Sequence, residues 1–145
     1  YGPRMEISND KKGFVGVFLN KALRGEKIQI FGTGEQRRDF NYVTDVVDAL
    51  LLAGESDSVN GQVYNLGHPD PASLLRFIEI LRRFVDFETE VVPFPAEAKA
   101  IDIGDYYGDY SKYREATGWD PRIGLEDGLE RAVRWYQAEG WRPKS

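Results

Sequence analysis

The stretch that decides the fold is residues 31–45, Phe-Gly-Thr-Gly-Glu-Gln-Arg-Arg-Asp-Phe-Asn-Tyr-Val-Thr-Asp. Its two glycines allow a sharp turn at Thr33. The adjacent side chains of Arg37 and Arg38 are planar, permanently charged donors that suit a phosphate or a carboxylate. Large apolar residues follow at once, so the same segment can enter a core. The sequence therefore predicts an anion-binding loop between two structured elements.

Regular elements are predicted on both sides of this loop. Before it, residues 14–23 carry apolar side chains at helical spacing and end ahead of Gly25, while residues 28–31 alternate as in a strand. After it, Thr44 or Asp45 can cap a helix that stops near Gly54. Residues 62–67 then follow an Asn-Gly turn and favour a buried strand.

The second half continues the alternation of helix and strand. Asp70 can cap a third helix with its inner stripe at Leu74, Phe77, Ile78 and Leu81. Residues 89–94 predict an edge strand because they contain a proline, and residues 95–110 predict an irregular stretch. A short helix capped by Ser111 and a last helix over about 125–139 complete the chain. The pattern predicts one α/β domain over residues 1–145, with helices packed on a few short strands.

Composition narrows the classes of protein further. The 145 residues are 41% hydrophobic with a net charge of −5 and no cysteine. These values predict a soluble globular domain in a reducing cytoplasm, without disulfides or thiolate metal sites. They give no electrostatic reason to bind nucleic acid or a membrane surface. The chain does not begin with methionine, and we expect it to be part of a longer protein.

Five motifs in register carry a resemblance to a known family. They are Tyr-Gly-Pro-Arg at 1–4, the loop at 31–45, Asn-Leu-Gly at 65–67, Asp-Tyr-Ser-Lys at 109–112, and Gly-Trp-x-Pro at 118–121 followed by Leu-Glu-Asp-Gly-Leu at 125–129. Together they resemble the C-terminal substrate-binding half of the NAD-dependent sugar-nucleotide epimerase/dehydratases, the extended short-chain dehydrogenases. The resemblance runs from residue 1 to about residue 137.

The resemblance implies roles for particular residues. Arg38 would bind the diphosphate of a nucleoside-diphosphate sugar, and Lys99 stands where many relatives have a second phosphate-binding arginine. Gln29 and Phe31 would flank the nucleobase. Two further side chains, Val15 and Phe18, would line the same pocket.

Other residues receive weaker or structural interpretations. In a complete enzyme, Tyr1 and Arg4 would adjoin the nicotinamide and the sugar. His68 is the single histidine of the sequence, and we expect it to be a loop residue. We expect the carboxylates of residues 102, 105 and 109 to be solvated or paired with Lys99 and Arg122 rather than to form a metal site.

The catalytic parts of that family are absent from this sequence. The only Gly-x-Gly, at Gly32-Thr33-Gly34, has Arg37 in place of the third glycine of a dinucleotide fingerprint. No tyrosine is followed four positions later by lysine, so the family's Tyr-x-x-x-Lys pair is missing too. We therefore expect no catalytic residue and no cofactor site in this chain. The resemblance assigns NAD and those motifs to an N-terminal Rossmann half.

Three functions stay open at this point. The first is the substrate half of a sugar-nucleotide epimerase similar to UDP-glucose 4-epimerase, with 4,6-dehydratases and UDP-glucuronate decarboxylases as neighbours in the same class. The second is a non-catalytic nucleotide-sugar binding module, and the third is an assembly domain with an unused pocket. Homodimers are common in the family, and one is possible here.

Overall fold

The structure is a computed structural model that describes residues 1–8 and 13–139. Within these ranges it contains six α-helices and four short strands, which confirms the predicted α/β class. In chain order they are α1 (Phe14–Leu23), β1 (Ile28–Phe31), β2 (Arg37–Arg38), α2 (Val43–Glu55), β3 (Ala72–Ser73), α3 (Leu74–Leu81), β4 (Thr89–Val92), α4 (Ala96–Ile101), α5 (Ser111–Thr117) and α6 (Leu125–Ala138).

The strands form two small sheets. Strand β1 pairs in parallel with β4, with Ile28 opposite Thr89 and Phe31 opposite Val92. Strand β2 pairs antiparallel with β3, with Arg38 opposite Ala72. The predicted strand at residues 89–94 is confirmed over Thr89–Val92, and it ends before Pro93, which has no N–H to offer a ladder.

The main core lies where α1, α3 and α6 meet β1. Helices α3 and α6 pack against each other, and their apolar stripes are buried as predicted, with Phe77, Leu81 and Leu129 fully enclosed. Phe40 enters this core from the loop after β2, and its ring stacks on that of Phe77 with the centroids 5.3 Å apart. The loop of residues 31–45 is therefore both part of the core and part of the surface, as its composition indicates.

A second, smaller cluster joins α2 to α5. Its buried members are Ala49, Val59, Tyr110, Tyr113 and Trp119. The Trp119 indole N–H donates to the carbonyl oxygen of Asp45 at 3.1 Å, and the Tyr113 hydroxyl donates to that of Ala49 at 2.5 Å. Trp119 is thus packed into the second cluster.

The predicted cap of α2 is wrong. The helix begins two or three residues earlier than expected, with Tyr42 as its N-cap, and Thr44 and Asp45 lie inside the first turn. Asp45 is only 3% exposed, and one of its carboxylate oxygens accepts the backbone N–H groups of Arg122 and Ile123 at 3.0 and 2.9 Å. Its side chain is thus used for a tertiary contact that ties α2 to the segment before α6.

Two other caps also differ from the prediction. Helix α3 begins at Leu74, and the hydroxyl of Ser73, not the carboxylate of Asp70, accepts the N–H of Arg76. Helix α5 has Tyr110 as its N-cap, and Asp109 accepts the N–H of Ser111. In both helices the N-cap is a different residue from the one that capping preferences predict.

Residues 62–67 and 95–110 also differ from expectation. Residues 62–67 form no strand, and Val63 is 85% exposed, because no described strand lies beside them to complete a ladder. The stretch predicted as irregular contains the helix α4, which buries none of its residues. Among the described helices, none is long and apolar enough to cross a bilayer.

We predict that Asp45→Ala lowers the free energy of unfolding by about 2–4 kcal/mol, because it leaves two partly buried N–H groups without an acceptor. Asp45→Asn should lose clearly less, because one amide oxygen can accept both bonds. Chemical denaturation of the 145-residue chain measures the difference.

The matched control is Asp48→Ala, which removes an exposed carboxylate one helical turn away. We expect the control to change stability by no more than about 0.5 kcal/mol. Equal effects of Asp45→Ala and Asp48→Ala would contradict the structural role given to Asp45.

Candidate functional site

A cavity of about 480 Å³ lies between α1, β1 and the loop of residues 31–45. Its apolar wall is formed by Phe14, Val17, Phe18, Phe31 and Leu74. Its polar groups belong to Lys21, Gln29, Gln36, Arg38 and Asp102, and Gly13 completes the lining. The volume and this mixture of aromatic wall and few polar groups are typical of a site for a small organic ligand.

The periodicities of α1 and β1 place these side chains. Positions 14, 17, 18 and 21 of α1 lie on one face of the helix, and all four line the cavity. In β1 the buried residues Ile28 and Ile30 alternate with Gln29 and Phe31, which line the cavity. The site is therefore built mainly on regular elements and is closed by a loop.

Strand alternation separates the two arginines of β2. Arg38 lines the cavity, whereas Arg37 turns to the other side, where its Nη2 donates to the carbonyl oxygen of Pro71 at 2.8 Å. The Arg37 guanidinium also lies 6.0 Å from the centroid of the Tyr107 ring. Only one arginine of the pair can therefore serve the cavity.

Arg38 keeps part of its hydrogen-bonding capacity. Its Nη1 donates to the carbonyl oxygens of Arg37 and Gly104, and its Nη2 lies 3.4 Å from a carboxylate oxygen of Asp102. A guanidinium has five N–H groups. With respect to the described residues, the Nε–H and one Nη2–H have no partner. An Nε–H and an Nη2–H on the same side of a guanidinium can bind two phosphate oxygens at once.

A contact between residues 37–39 and residues 102–108, which we call the loop contact, fixes the orientation of Arg38. The N–H of Arg37 donates to a carboxylate oxygen of Asp105 at 2.7 Å, and the N–H of Tyr106 donates to the carbonyl oxygen of Arg37 at 3.0 Å. The N–H of Gly108 donates to the Asp39 carboxylate at 3.0 Å. Three bonds in a row thus hold the two segments side by side.

Gly67 packs directly on the loop contact. A Cβ atom at this position would overlap the carbonyl oxygen of Gly108 and approach the Asp39 carboxylate to 3.2 Å. The close approach of two backbones explains why a glycine stands at the end of the Asn-Leu-Gly motif. The motif thus has a structural role beside the site.

The structure places the predicted site residues in two groups. Arg38, Gln29, Phe31 and Phe18 all line the cavity. Val15 packs against the main core and is not among the lining residues. Their roles in binding stay predictions.

Lys99 also lies outside the lining of the cavity. It is exposed on α4. The acidic residues 102, 105 and 109 pair with Arg38 and with backbone N–H groups, and no ion pair to Lys99 or Arg122 is formed within the described part of the chain.

Sequence reasoning missed three of the polar lining residues. The helical spacing could have predicted that Lys21 lines the cavity, because Lys21 lies on the same helix face as Phe14, Val17 and Phe18. Gln36 belongs to the loop of residues 31–45. The local sequence around Asp102 does not indicate that it lines the cavity, because its contact is with Arg38, 64 positions away along the chain.

The N-terminal segment packs on α6. The Tyr1 ring lies edge-on to those of Phe40 and Tyr42, and burial raises the pKa of its phenol above the ordinary value of 10.0. The Tyr136 hydroxyl donates to the carbonyl oxygen of Met5 at 2.7 Å. Arg4 is exposed with a φ of 65°. Neither Tyr1 nor Arg4 is among the lining residues of the cavity.

The glycine turn of residues 32–34 does not have the geometry of a dinucleotide-binding loop. Gly32 and Gly34 both have positive φ and connect β1 to the two-residue strand β2, so no helix N-terminus follows them to hold a pyrophosphate. Residues 1–8 and 13–139 also contain no group of three or more acidic, histidine or cysteine side chains that could hold a metal ion. What the arrangement offers is binding: a guanidinium, an ammonium and two amides against an aromatic wall.

Comparison with known proteins identifies the relatives of this chain. A family model described as the NAD dependent epimerase/dehydratase family matches residues 1–67. UDP-glucuronic acid decarboxylase 1 of Xenopus tropicalis is 33% identical over 139 residues, which are 96% of this chain and 32% of that protein.

Solved structures give the same result over nearly the whole chain. The UDP-glucose 4-epimerase of Thermotoga maritima, crystallised with UDP-glucose, matches with a TM-score of 0.84 and 34% identity over 97% of this chain and 44% of that one. The UDP-glucuronic acid 4-epimerase of Bacillus cereus, in complex with UDP-glucuronic acid and NAD, matches with a TM-score of 0.77 and 27% identity over 96% and 43%. The chain thus spans less than half the length of each of these relatives.

We predict that Gly67→Ala lowers the free energy of unfolding by about 1–3 kcal/mol, because the methyl group overlaps backbone that cannot move away without breaking the loop contact. Gly54→Ala is the matched control, because nothing lies within 4 Å of a Cβ there and the residue is helical. The control should be neutral or stabilising by up to about 1 kcal/mol. Thermal unfolding of both variants measures this; a stable Gly67→Ala variant would refute the close packing.

Proposed function

The chain belongs to the NAD dependent epimerase/dehydratase family, and we propose that it binds a nucleoside-diphosphate sugar as the substrate-binding part of a UDP-sugar epimerase. The observation that carries this proposal is the position of Arg38, which lines a cavity with an aromatic wall and has two N–H groups without a partner among the described residues. We propose further that residues 1–145 act as one C-terminal unit and that catalysis needs a separate half that binds NAD.

The geometry supports a division of labour within the cavity. The Nε–H and Nη2–H of Arg38 would bind two oxygens of the diphosphate, which is a shorter and stronger contact than one between neutral groups. Phe31 and Phe18 would pack against the base, and the amide of Gln29 can donate to and accept from its edge. Each of these groups binds or orients the ligand, and none of them is placed to move a proton or a hydride.

A second candidate within the same class is the corresponding part of a UDP-glucuronate decarboxylase. It is supported by the 33% identity to the decarboxylase of Xenopus tropicalis, which is nearly the same as the 34% identity to the epimerase of Thermotoga maritima. The two activities share a nucleotide and differ in what happens to the sugar. Both would use the cavity described here in the same way.

An exposed apolar face supports the proposal of a separate partner half. Helix α2 exposes Val43, Val47, Leu50 and Leu51, the last two at 65% and 62%, and Val63 in the next segment is exposed as well. These residues lie within the 67 residues that the family model matches. The relatives are more than twice as long as this chain. We propose that the remainder of the protein, an α/β half with a sheet, covers this face.

We predict that UDP raises the melting temperature of the 145-residue chain without any need for NAD. A ligand at ten times its Kd stabilises the folded state by about 1.4 kcal/mol. Arg38→Gln should weaken UDP binding by at least about tenfold, whereas the matched control Arg37→Gln, on the other side of β2, should bind as the wild type does. A thermal-shift panel of UDP, dTDP, GDP and CDP measures the effect and identifies the base.

Two outcomes would refute this assignment. One is the absence of a shift with every nucleotide at millimolar concentration. The other is an equal loss of binding in Arg37→Gln and Arg38→Gln, because the structure gives the cavity only one of the two arginines.

We predict that Leu50→Gln has a different effect in the isolated chain and in the full-length protein. In the isolated chain the side chain is largely exposed, so stability should change by no more than about 0.5 kcal/mol. In the full-length protein the same substitution should cost about 1–3 kcal/mol, because Leu50 would be buried in the contact with the partner half. Equal effects in both proteins would show that this face has no partner there.

A further inference from the structure

Lys21 is a charged residue at a position where the helix pattern calls for an apolar one. It follows Phe14, Val17 and Phe18 at the spacing of a helix face, and like them it lines the cavity. Its carbonyl oxygen accepts the N–H of Glu26 at 2.9 Å, so its backbone is fixed at the end of α1. The long aliphatic stem can pack along the apolar wall and carry the ammonium group into the cavity.

In the lining of the cavity, Lys21 is the cation without an ion-pair partner among the described residues. The ionisable lining residues are Lys21, Arg38 and Asp102. Because Arg38 and Asp102 form an ion pair at 3.4 Å, their charges largely cancel. Lys21 has no ion-pair partner among residues 1–8 and 13–139. Among the described lining residues, the net positive charge therefore comes from Lys21.

The net negative charge of the whole chain disfavours an anionic ligand, so the positive charge of Lys21 matters for binding one. The chain as a whole carries a net charge of −5. Without Lys21, a diphosphate would enter a cavity of nearly zero net charge on an anionic protein. The cavity of about 480 Å³ is small enough that an ammonium on its wall acts within roughly one Debye length, about 8 Å, of any ligand inside.

Lys99 is the alternative source of a second positive charge. It lies on α4, a helix that buries none of its residues, and its side chain is exposed and outside the lining of the cavity. Charges at such positions are screened by solvent and contribute little. The geometry therefore favours the lysine on α1 over the lysine on α4.

We propose that Lys21, and not Lys99, supplies the positive charge that makes this cavity select phosphorylated ligands. The proposal rests on the proposed function, since it assigns a further residue to the same nucleotide site. Lys21 acts on the phosphate groups through its charge, while Arg38 binds them through directed hydrogen bonds. Selection between a nucleoside and its diphosphate is the property that Lys21 controls.

The test compares uridine, UMP and UDP as ligands of the wild-type chain and of Lys21→Gln, Lys21→Arg and Lys99→Gln, by isothermal titration calorimetry at low and high salt. We expect Lys21→Gln to weaken UDP binding about tenfold, equivalent to about 1.4 kcal/mol, and to leave uridine within about twofold. The salt dependence of UDP binding should become weaker. Lys21→Arg should restore the affinity, and Lys99→Gln should bind as the wild type does.

Other results overturn the proposal in distinguishable ways. If the wild type binds UDP and Lys99→Gln weakens it while Lys21→Gln does not, the charge is assigned to the wrong lysine and the proposed function stands. If Lys21→Gln weakens uridine and UDP equally, Lys21 contacts the nucleoside and not the phosphates. If the wild type binds no nucleotide, both the proposed function and this inference fail.

Discussion

The alternation of side chains along the two-residue strand β2 is the constraint on which the site depends. It sends Arg38 into the cavity and Arg37 to the opposite surface, and Asp39 then reaches the N–H of Gly108. A slip of one residue would exchange the two arginines and break the three hydrogen bonds of the loop contact. Phe40, stacked on Phe77 in the main core, opposes such a slip. The core and the site are thus fixed by the same four residues.

The positive charges that line the cavity are local, against a net charge of −5 for the whole chain. Arg38 is a shared group, since two carbonyl oxygens and the Asp102 carboxylate already use three of its five N–H groups. Those contacts hold the guanidinium in one orientation, so little side-chain entropy is left to lose when a ligand binds. Their cost is that Asp102 offsets part of the positive charge. In our proposal, Lys21 on α1 compensates for that loss without disturbing the orientation of Arg38.

Local patterns predicted more of the fold than of the site. The stripes of α1, α3 and α6 could be read from spacing, because burial of an apolar face dominates the stability of an amphipathic helix. Caps failed where a carboxylate found a distant partner, as Asp45 did at Arg122 and Ile123. The predicted strand at residues 62–67 failed because a strand needs a neighbour, which the described residues do not supply. Asp102 could not be found for the same reason, since its contact with Arg38 is long-range.

The proposed separation of binding from chemistry rests on the element to which the glycine turn connects. Gly32 and Gly34 deliver the chain to a strand that presents Arg38, and not to a helix that could hold a dinucleotide. The similar proteins named above differ in what they do to the sugar, yet their names share the UDP group. A cavity that binds the nucleotide alone can serve any of these reactions, because binding energy from a non-reacting part of a substrate positions the part that reacts. In such an arrangement the residues that choose the reaction need not lie in the part of the protein that holds the substrate.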